Sequence, residues 1–404
     1  MREVLRDRDF VRYQVARFAG TIGIQTTSVA IGWQVYELTH DPLHLGYVGL
    51  AQFVPMMLLA LPAGQIADRV DRRRLLAICY ACFGVGAAAL MTIAWLGVHD
   101  VRAIYGVLVG LGAARAFAGP AASALLPEIV PREQFSAAVA LNSSTWQIAT
   151  IVGPSTGGAV YAWGGPRAAF GLALGLMVVT VLFFAMMRVR SAPRSEGTVT
   201  LESLAAGVRY VVGNRVLLGV ISLDLFAVLL GGAVALLPAV ANDILRVGPV
   251  GLGVLRSAPA VGAATMALWL ARFPIERRAG RSMLLGVAVF GVATIVFGVS
   301  HSFALSLAAL VVVGAADMIS VYVRQTLVQI RTPDEMRGRV SAVSFMFIGA
   351  SNELGELESG VTGKWLGISR AIVVGGIGTL AVVGAWALLF PALRRVDRLV
   401  ERGQ

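Results

Sequence analysis

From Leu75 to Gly97 the chain runs for 23 residues without one charged side chain. In water such a stretch would have to be buried on every face, whereas about 20 apolar residues wound as a helix cross the hydrocarbon core of a bilayer. Twelve such runs follow one another, near 18–36, 46–66, 75–97, 104–126, 137–162, 168–187, 216–241, 251–271, 282–299, 303–329, 340–363 and 370–391. Composition agrees, since charged residues are 14% of the 404, against about a quarter in soluble domains. The connections are too short to hold a soluble domain. The expected class is therefore an all-α, multi-pass membrane protein. Two cysteines cannot make a disulfide framework. No polar leader with a small-residue cleavage site precedes the first run, so a removable signal peptide is not expected.

A net charge of +11 invites a nucleic-acid reading, and the placement of the charges removes it. With the N-terminus inside, 26 of the 34 Lys+Arg fall on the inner connections and termini, five on the outer ones, and three (Arg115, Arg256, Arg324) within runs. Inner loops of membrane proteins carry such an excess. Both termini are thus expected in the cytoplasm, in a bacterial-type inner membrane, and the surplus of arginine marks topology.

The chain also resembles itself at an offset of 202 residues, half its length. Gly112-Ala113-Ala114-Arg115 returns as Gly314-Ala315-Ala316-Asp317, Pro131-Arg132-Glu133 as Pro333-Asp334-Glu335, and Val48-Gly49-Leu50 as Val250-Gly251-Leu252, while Trp163 meets Trp365. Six runs followed by six keep the same orientation. This predicts two six-helix bundles, residues 1–190 and 216–404, related by an axis along the membrane normal with a central site between them. The intervening 191–215 opens with a polar break, Pro193 to Gly197. Leu201, Leu204, Ala205, Val208, Val211 and Val212 then follow at helical spacing, which predicts an amphipathic helix on the cytoplasmic interface.

Between the second and third runs stands Gly64-Gln65-Ile66-Ala67-Asp68-Arg69-Val70-Asp71-Arg72-Arg73-Arg74. Gly64 would let helices approach closely, and Asp68 could accept hydrogen bonds at a helix N-terminus. The segment resembles the inner-loop motif of the major facilitator superfamily, with Asp71 where that family usually has Gly. The resemblance implies a cytoplasmic gate built on Gly64, Asp68, Arg69, Arg72 and Arg73. In the fourth run, Leu111 to Gly119 resembles a second motif of the superfamily, with Ala118 replacing a polar residue; in the family its arginine, here Arg115, is tied to proton coupling. A charge near mid-membrane costs roughly 2.5–3.5 kcal/mol on insertion scales, so Arg115 should face a polar cavity and find a partner. In the fifth run Gly153, Pro154, Gly157 and Gly158 resemble the motif of superfamily exporters that exchange cargo for protons. Generic small-residue packing is the plainer reading of that stretch.

The offset sets Gly355-Glu356-Leu357-Glu358-Ser359-Gly360 opposite this motif, and Glu353 precedes it. Asn352, Glu353, Glu356 and Ser359 share one helical face, and Glu358 points elsewhere. Carboxylates in an apolar helix suit a proton carrier, although Glu356 and Glu358 near the outer boundary could simply be hydrated. Asp317 and Arg324 lie on one face of the tenth run. Asp317 is either the partner of Arg115 across the cavity or the partner of Arg324 on its own helix, seven residues and about 10 Å away. Asp224 in the seventh run is a further proton-coupling candidate. The cavity implied by the resemblance is built from runs 1, 4, 7 and 10, with Gln25, Trp33, Phe117 and Arg324 as candidate cargo contacts.

Other signals are expected to be silent. Cys79 and Cys82 fit C-x-x-C inside an uncharged run, without further ligands. His40, His44, His99 and His301 all fall at outer ends of runs. No phosphate-cradling loop and no Ser/His/Asp grouping is present, so neither ATP-driven transport nor enzyme chemistry is expected. Leu236-Leu237-Pro238-Ala239-Val240-Ala241 and Thr332-Pro333-Asp334-Glu335-Met336-Arg337-Gly338-Arg339 resemble the enterobactin-exporter branch of the superfamily. That resemblance implies proton-driven export of a siderophore, drug or metabolite by a monomer needing no cofactor. The three glutamates of the eleventh run have no counterpart in that pattern. Rival readings are a lipid or lysolipid flippase, a nutrient importer, and a non-transporting membrane sensor or scaffold.

Overall fold

The structure, a computed structural model of the chain, describes residues 4–188 and 201–397. The polar break at 193–197 lies outside the described residues. In chain order the α-helices are α1 (Arg8–Thr39), α2 (Pro42–Arg69), α3 (Arg72–Trp95), α4 (Val101–Ile129), α5 (Phe135–Met186), α6 (Leu201–Gly213) and α7 (Arg215–Gly231). There follow α8 (Leu237–Ala239), α9 (Gly248–Arg272), α10 (Ala279–Val299), α11 (Phe303–Arg331), α12 (Asp334–Leu366), α13 (Ile368–Leu389) and α14 (Pro391–Arg394).

Polar side chains begin α1, α3, α4 and α7 by satisfying their first free N–H groups. The Asp7 carboxylate accepts from the N–H of Asp9 (2.8 Å) and Phe10 (3.2 Å) at the start of α1. Asp71 accepts from Arg73 (3.0 Å) and Arg74 (3.3 Å) at α3, and Asn214 from Val216 (3.1 Å) and Leu217 (3.2 Å) at α7. Asp71, which departs from the superfamily's glycine, thus serves as a helix cap.

Nine helices among the described residues are long and apolar enough to cross a membrane, fewer than the twelve runs read from the sequence. The fifth and sixth runs are joined in the 52-residue α5, which breaks direction at Gly164-Gly165. Gly165 has φ +67°, a backbone that an L side chain rarely adopts. The first and eleventh runs are the 32-residue α1 and the 33-residue α12, long enough but diluted by polar and charged side chains. The repeat partners Trp163 and Trp365 are 87% and 78% exposed, as an aromatic belt at the membrane boundary requires.

The chain divides into two compact units. Unit 1 is residues 1–40, 50–199 and 248–257; unit 2 is 41–49, 200–247 and 258–404. Each therefore includes the opening turns of one helix, α9 or α2, whose remainder belongs to the other. Within unit 1, α1 packs on α5. Thr180 Oγ1 donates to the Ala16 carbonyl (3.2 Å), and the Tyr161 hydroxyl donates to Glu37 Oε2 (3.0 Å). Unit 2 gathers Val220, Leu223, Met283, Val287, Val323, Leu327 and Val382 into a buried core of α7, α10, α11 and α13. There Thr379 Oγ1 donates to the Ala227 carbonyl (3.1 Å).

Candidate functional site

The densest grouping of charge inside a span lies in unit 2. Arg324 of α11 donates to the Asp224 carboxylate of α7 in a buried ion pair, both residues being about 5% exposed. Asp317 stands two turns along α11 from Arg324, with Ser320 between them on the same side. Asp224, Asp317 and Ser320 line one cavity with Ala227, Val228, Val287 and Phe290. Its volume of about 10 Å³ is the room of a single water. Asp317 feels both the Asp224 carboxylate and the Arg324 guanidinium, yet among the described residues its carboxylate makes no hydrogen bond. Two carboxylates thus line a water-sized space, one of them held from behind by a guanidinium.

This corrects the expected pairing along α11. Arg324 reaches across to a neighbouring helix because seven residues along its own helix separate it from Asp317 by about 10 Å. Ser320, buried at 2%, was missed by the sequence reading. Its signal was its position, three residues after Asp317 and four before Arg324.

On α12, Glu353 and Glu356 converge on the first turns of α2. A Cβ built on Gly49 would stand 2.5 Å from Glu356 Oε2 and 3.4 Å from Glu353 Oε2. Glu358 is half-buried and does not join them. The glycines flanking these acids seat the helix. Gly355 lies against the Val228 and Leu229 carbonyls of α7 (3.1 Å to a Cβ), and Gly360 against Pro42 and Gly46 of α2 (3.0 Å).

The repeat partner in unit 1 does the same work without charge. A Cβ on Gly153 would stand 2.7 Å from the Gln25 Cβ, and one on Gly157 2.8 Å from the Thr26 Cα, so α5 lies directly on α1. Gly158 faces Pro249 and Gly253 of α9, and a Cβ on Gly253 would meet the Pro154 carbonyl at 2.5 Å. Ser155 and Ser257 bond through their hydroxyls at 2.9 Å across the same contact, and Arg256 donates to Ser28 Oγ at 2.8 Å. Among the candidate cargo residues, Gln25 therefore rests its stem on Gly153 and Trp33 is packed at 7% exposure, so its ring is not presented to an open space. Phe117 is half-buried, and Arg115 is exposed.

The inner-loop residues serve unit 1. Arg72 is buried and pairs with Glu128 at the end of α4, while its Nε donates to the Ala67 carbonyl (3.4 Å). Arg73 donates to the Met187 carbonyl beyond α5. These two arginines bind the ends of α3, α4 and α5 to one another. Arg69 is exposed, and the side chain of Asp68 lies outside those described. Gly64 corrects its expectation: among the described residues a Cβ there would meet nothing within 4 Å, so it seats no close helix contact. Glu128 was also missed; a lone acid closing an apolar run beside a basic loop was its signal.

Cys79 is buried and Cys82 exposed, both as free thiols. Among the described residues no three His, Cys, Asp or Glu gather as metal ligands.

Residues 4–401 match the family model of transmembrane secretion effectors. The enterobactin exporter EntS of Shigella boydii serotype 18 is 27% identical over 388 residues, covering 94% of this chain and 91% of that protein. EntS of Escherichia coli O139:H28 is similar to the same extent, 27% over 388 residues with the same coverage. Among solved structures, the nucleoside transporter NupG superposes with a TM-score of 0.77 at 12% identity, covering 95% of this chain and all of that one. A bacterial homologue of the human lysosomal transporter Spinster, captured inward-facing and unoccupied, superposes with a TM-score of 0.70 at 13% identity, covering 96% of each. At such identities these structures establish the shared major facilitator fold. The fold and the relatives are those of transporters rather than enzymes, and the apolar helices are those of a multi-pass inner-membrane protein. With a family match across nearly its whole length, the chain belongs to the transmembrane secretion effectors of the major facilitator superfamily.

Proposed function

We propose that this chain exports a small molecule across the inner membrane in exchange for protons, by alternating access, as a monomer driven by the proton gradient alone. The observation that carries the proton assignment is that Asp317 lines one water-sized cavity with Asp224, which is paired with Arg324. With both carboxylates ionised the group carries one net negative charge. One proton brings it to zero. A charge inside a membrane helix is costly and wants a partner, so the two protonation states favour different surroundings for α7 and α11. A differential of that kind can tie proton uptake to a conformational change. Asp317 is the acid that takes the proton, and Arg324 holds Asp224 meanwhile. Glu353 and Glu356 form a second acidic position, on α12, available to a proton or to a cationic part of the cargo.

The curated relatives are named as exporters of enterobactin, which supports a siderophore or a comparable metabolite or drug as cargo. Arg115 favours an anionic cargo, and the acids of α12 favour a cationic one.

The test is transport by the purified protein in vesicles under an imposed pH gradient. Asp317→Asn should abolish proton-driven exchange while leaving gradient-independent binding of cargo, and Glu353→Gln should slow it. Wild-type transport by both variants would overturn the coupling assignment. Accumulation of siderophores and drugs in cells lacking or overproducing the protein reads direction: lower accumulation on overproduction is export, and higher is import. Acyl-chain movement in the same vesicles would mark a flippase, and no transport of any class a sensor or scaffold.

A further inference from the structure

A cleft of about 660 Å³ opens in unit 2 between α6, the start of α7 and the start of α12. Its walls include Arg209, Tyr210, Gly213, Asn214, Arg215 and Met336, and among the described lining residues the formal charges are those of the two arginines. Both arginines are exposed. Among the described residues neither guanidinium has a hydrogen bond or an ion pair.

The frame around them is fixed. A Cβ on Gly207 would stand 3.0 Å from the Arg339 carbonyl, so α6 lies tight against α12, and Val211 on the same side is buried at 3%. The Tyr210 hydroxyl donates to the Arg331 carbonyl (3.1 Å), tying α6 to the end of α11. Asn214 is already engaged in capping α7. That capping uses the Asn214 Oδ1, so the two guanidiniums are the cleft's charged donors, with the Asn214 Nδ2 a neutral one beside them.

Val208 and Val212, one turn apart on α6, are 40% and 58% exposed. By helical spacing Arg209 lies between this apolar edge and the cleft. The apolar stripe read from the sequence is thus divided: part of it packs on α12, and part faces outward beside a cation. A helix with that arrangement rests in the headgroup region of a bilayer, its apolar edge among the acyl chains and its cations at the phosphates.

We propose that this cleft binds the phosphodiester head group of an anionic phospholipid, phosphatidylglycerol or cardiolipin, with Arg209 and Arg215 on the phosphate and Val208 and Val212 against the chains. Guanidiniums match phosphate oxygens in planar, paired hydrogen bonds, and basic pockets beside membrane helices on the inner side recognise such head groups. Two unengaged cations, with no acid among the described lining residues, select an anion. The adjoining valines select one that carries hydrocarbon.

The test titrates the full chain, purified in a neutral detergent, with short-chain phosphatidylglycerol, short-chain phosphatidylcholine or inorganic phosphate, read by native mass spectrometry and by the shift in melting temperature. Phosphatidylglycerol should bind at least tenfold more tightly than phosphatidylcholine, weaken as salt is raised, and resist an equal concentration of phosphate. The double variant Arg209→Gln/Arg215→Gln should lose that tenfold preference, and Arg209→Lys/Arg215→Lys should keep most of it. If the glutamine pair melts early without lipid, Arg215→Gln alone serves, with about half the loss on a logarithmic scale. Equal binding of phosphatidylcholine, full competition by inorganic phosphate, or an unchanged preference in the glutamine variants would each overturn the proposal.

Discussion

The two repeats use the same glycines and different charges. In unit 1, Gly153 and Gly158 let α5 lie on α1 and α9; in unit 2, Gly355 and Gly360, at the same offset, let α12 lie on α7 and α2. Gly112 sits against Gln52 and Pro55 of α2, and its partner Gly314 against Pro259 of α9. Three residues after each of these glycines the likeness ends. Arg115 stands in one unit, and Asp317, close to a buried ion pair, in the other. A duplicated helix must keep its close contacts, because a side chain added there collides with backbone. Nothing comparable holds a charge in place across a duplication, so the acids could gather in unit 2. Packing is the shared inheritance of the halves, and the buried acids on which the proposed proton chemistry rests belong to one of them.

The largest expected effect tests that division directly. Arg324→Ala leaves Asp224 buried without its cation, which costs about 3–5 kcal/mol in comparable buried pairs. Removing both charges with Asp224→Asn/Arg324→Gln should recover most of that loss while leaving exchange impaired. In unit 1 the exposed Arg115→Ala should cost no more than about 1 kcal/mol. Thermal unfolding in detergent measures all three. Equal losses for Arg324→Ala and Arg115→Ala would remove the contrast between units.

Next come the glycine seats. Gly158→Ala and Gly360→Ala both drive a Cβ into backbone of α9 or α2, and overpacking of this kind costs roughly 1–3 kcal/mol. Gly49→Ala meets the end of a flexible carboxylate instead, so it should cost less while disturbing cargo affinity through Glu356 and Glu353. Gly64→Ala faces open space within a helix and should stabilise by about 0.5–1 kcal/mol. A strong loss there would mean that Gly64 packs closely in another state of the transporter.

How much of this was legible follows from what a helix alone determines. The apolar runs, the offset of 202, the glycine motifs and the amphipathic α6 are local or periodic properties, and one sequence carries them. The partner of Arg324 is not local. Helical spacing puts Asp317 and Arg324 on one face, but Asp224 lies 100 residues away on α7, and only the packing of α7 on α11 brings it near. The same reason separates Trp33, packed inside unit 1, from its expected place facing a cargo. Arg72 and Arg73 of the expected inner gate do the visible tying, because Glu128 and the Met187 carbonyl, which the loop's own sequence does not name, come to meet them. Where side chains of one element meet, the sequence is sufficient; where two elements meet, it supplies candidates.

The smallest predicted effect concerns the pair that ties the opening of α2 to the end of α12. Lys364 Nζ lies 2.6 Å from Asp41 Oδ2. Partial burial pushes the Asp41 carboxyl up, but the Lys364 hydrogen bond and the Leu43 N–H outweigh it, so the carboxyl sits below its ordinary value. A carboxyl lowered in the folded state adds stability at pH values above its unfolded value near 4 and loses it as pH falls through the folded one. Lys364 is 47% exposed, so screening holds the contribution to about 0.2–1 kcal/mol. Lys364→Met should therefore lower the melting temperature slightly at pH 7, and the difference from wild type should close as the pH falls through the folded value, below which Asp41 is neutral in both states. The repeat offset carries no matching ion pair between residues 162 and 243, which are Ala162 and Asp243. Disrupting it should weaken the seat of α12 on α2 without touching that of α5 on α9. A loss equally large once acid has neutralised Asp41 would show that the lysine stem, rather than its charge, holds the helices there.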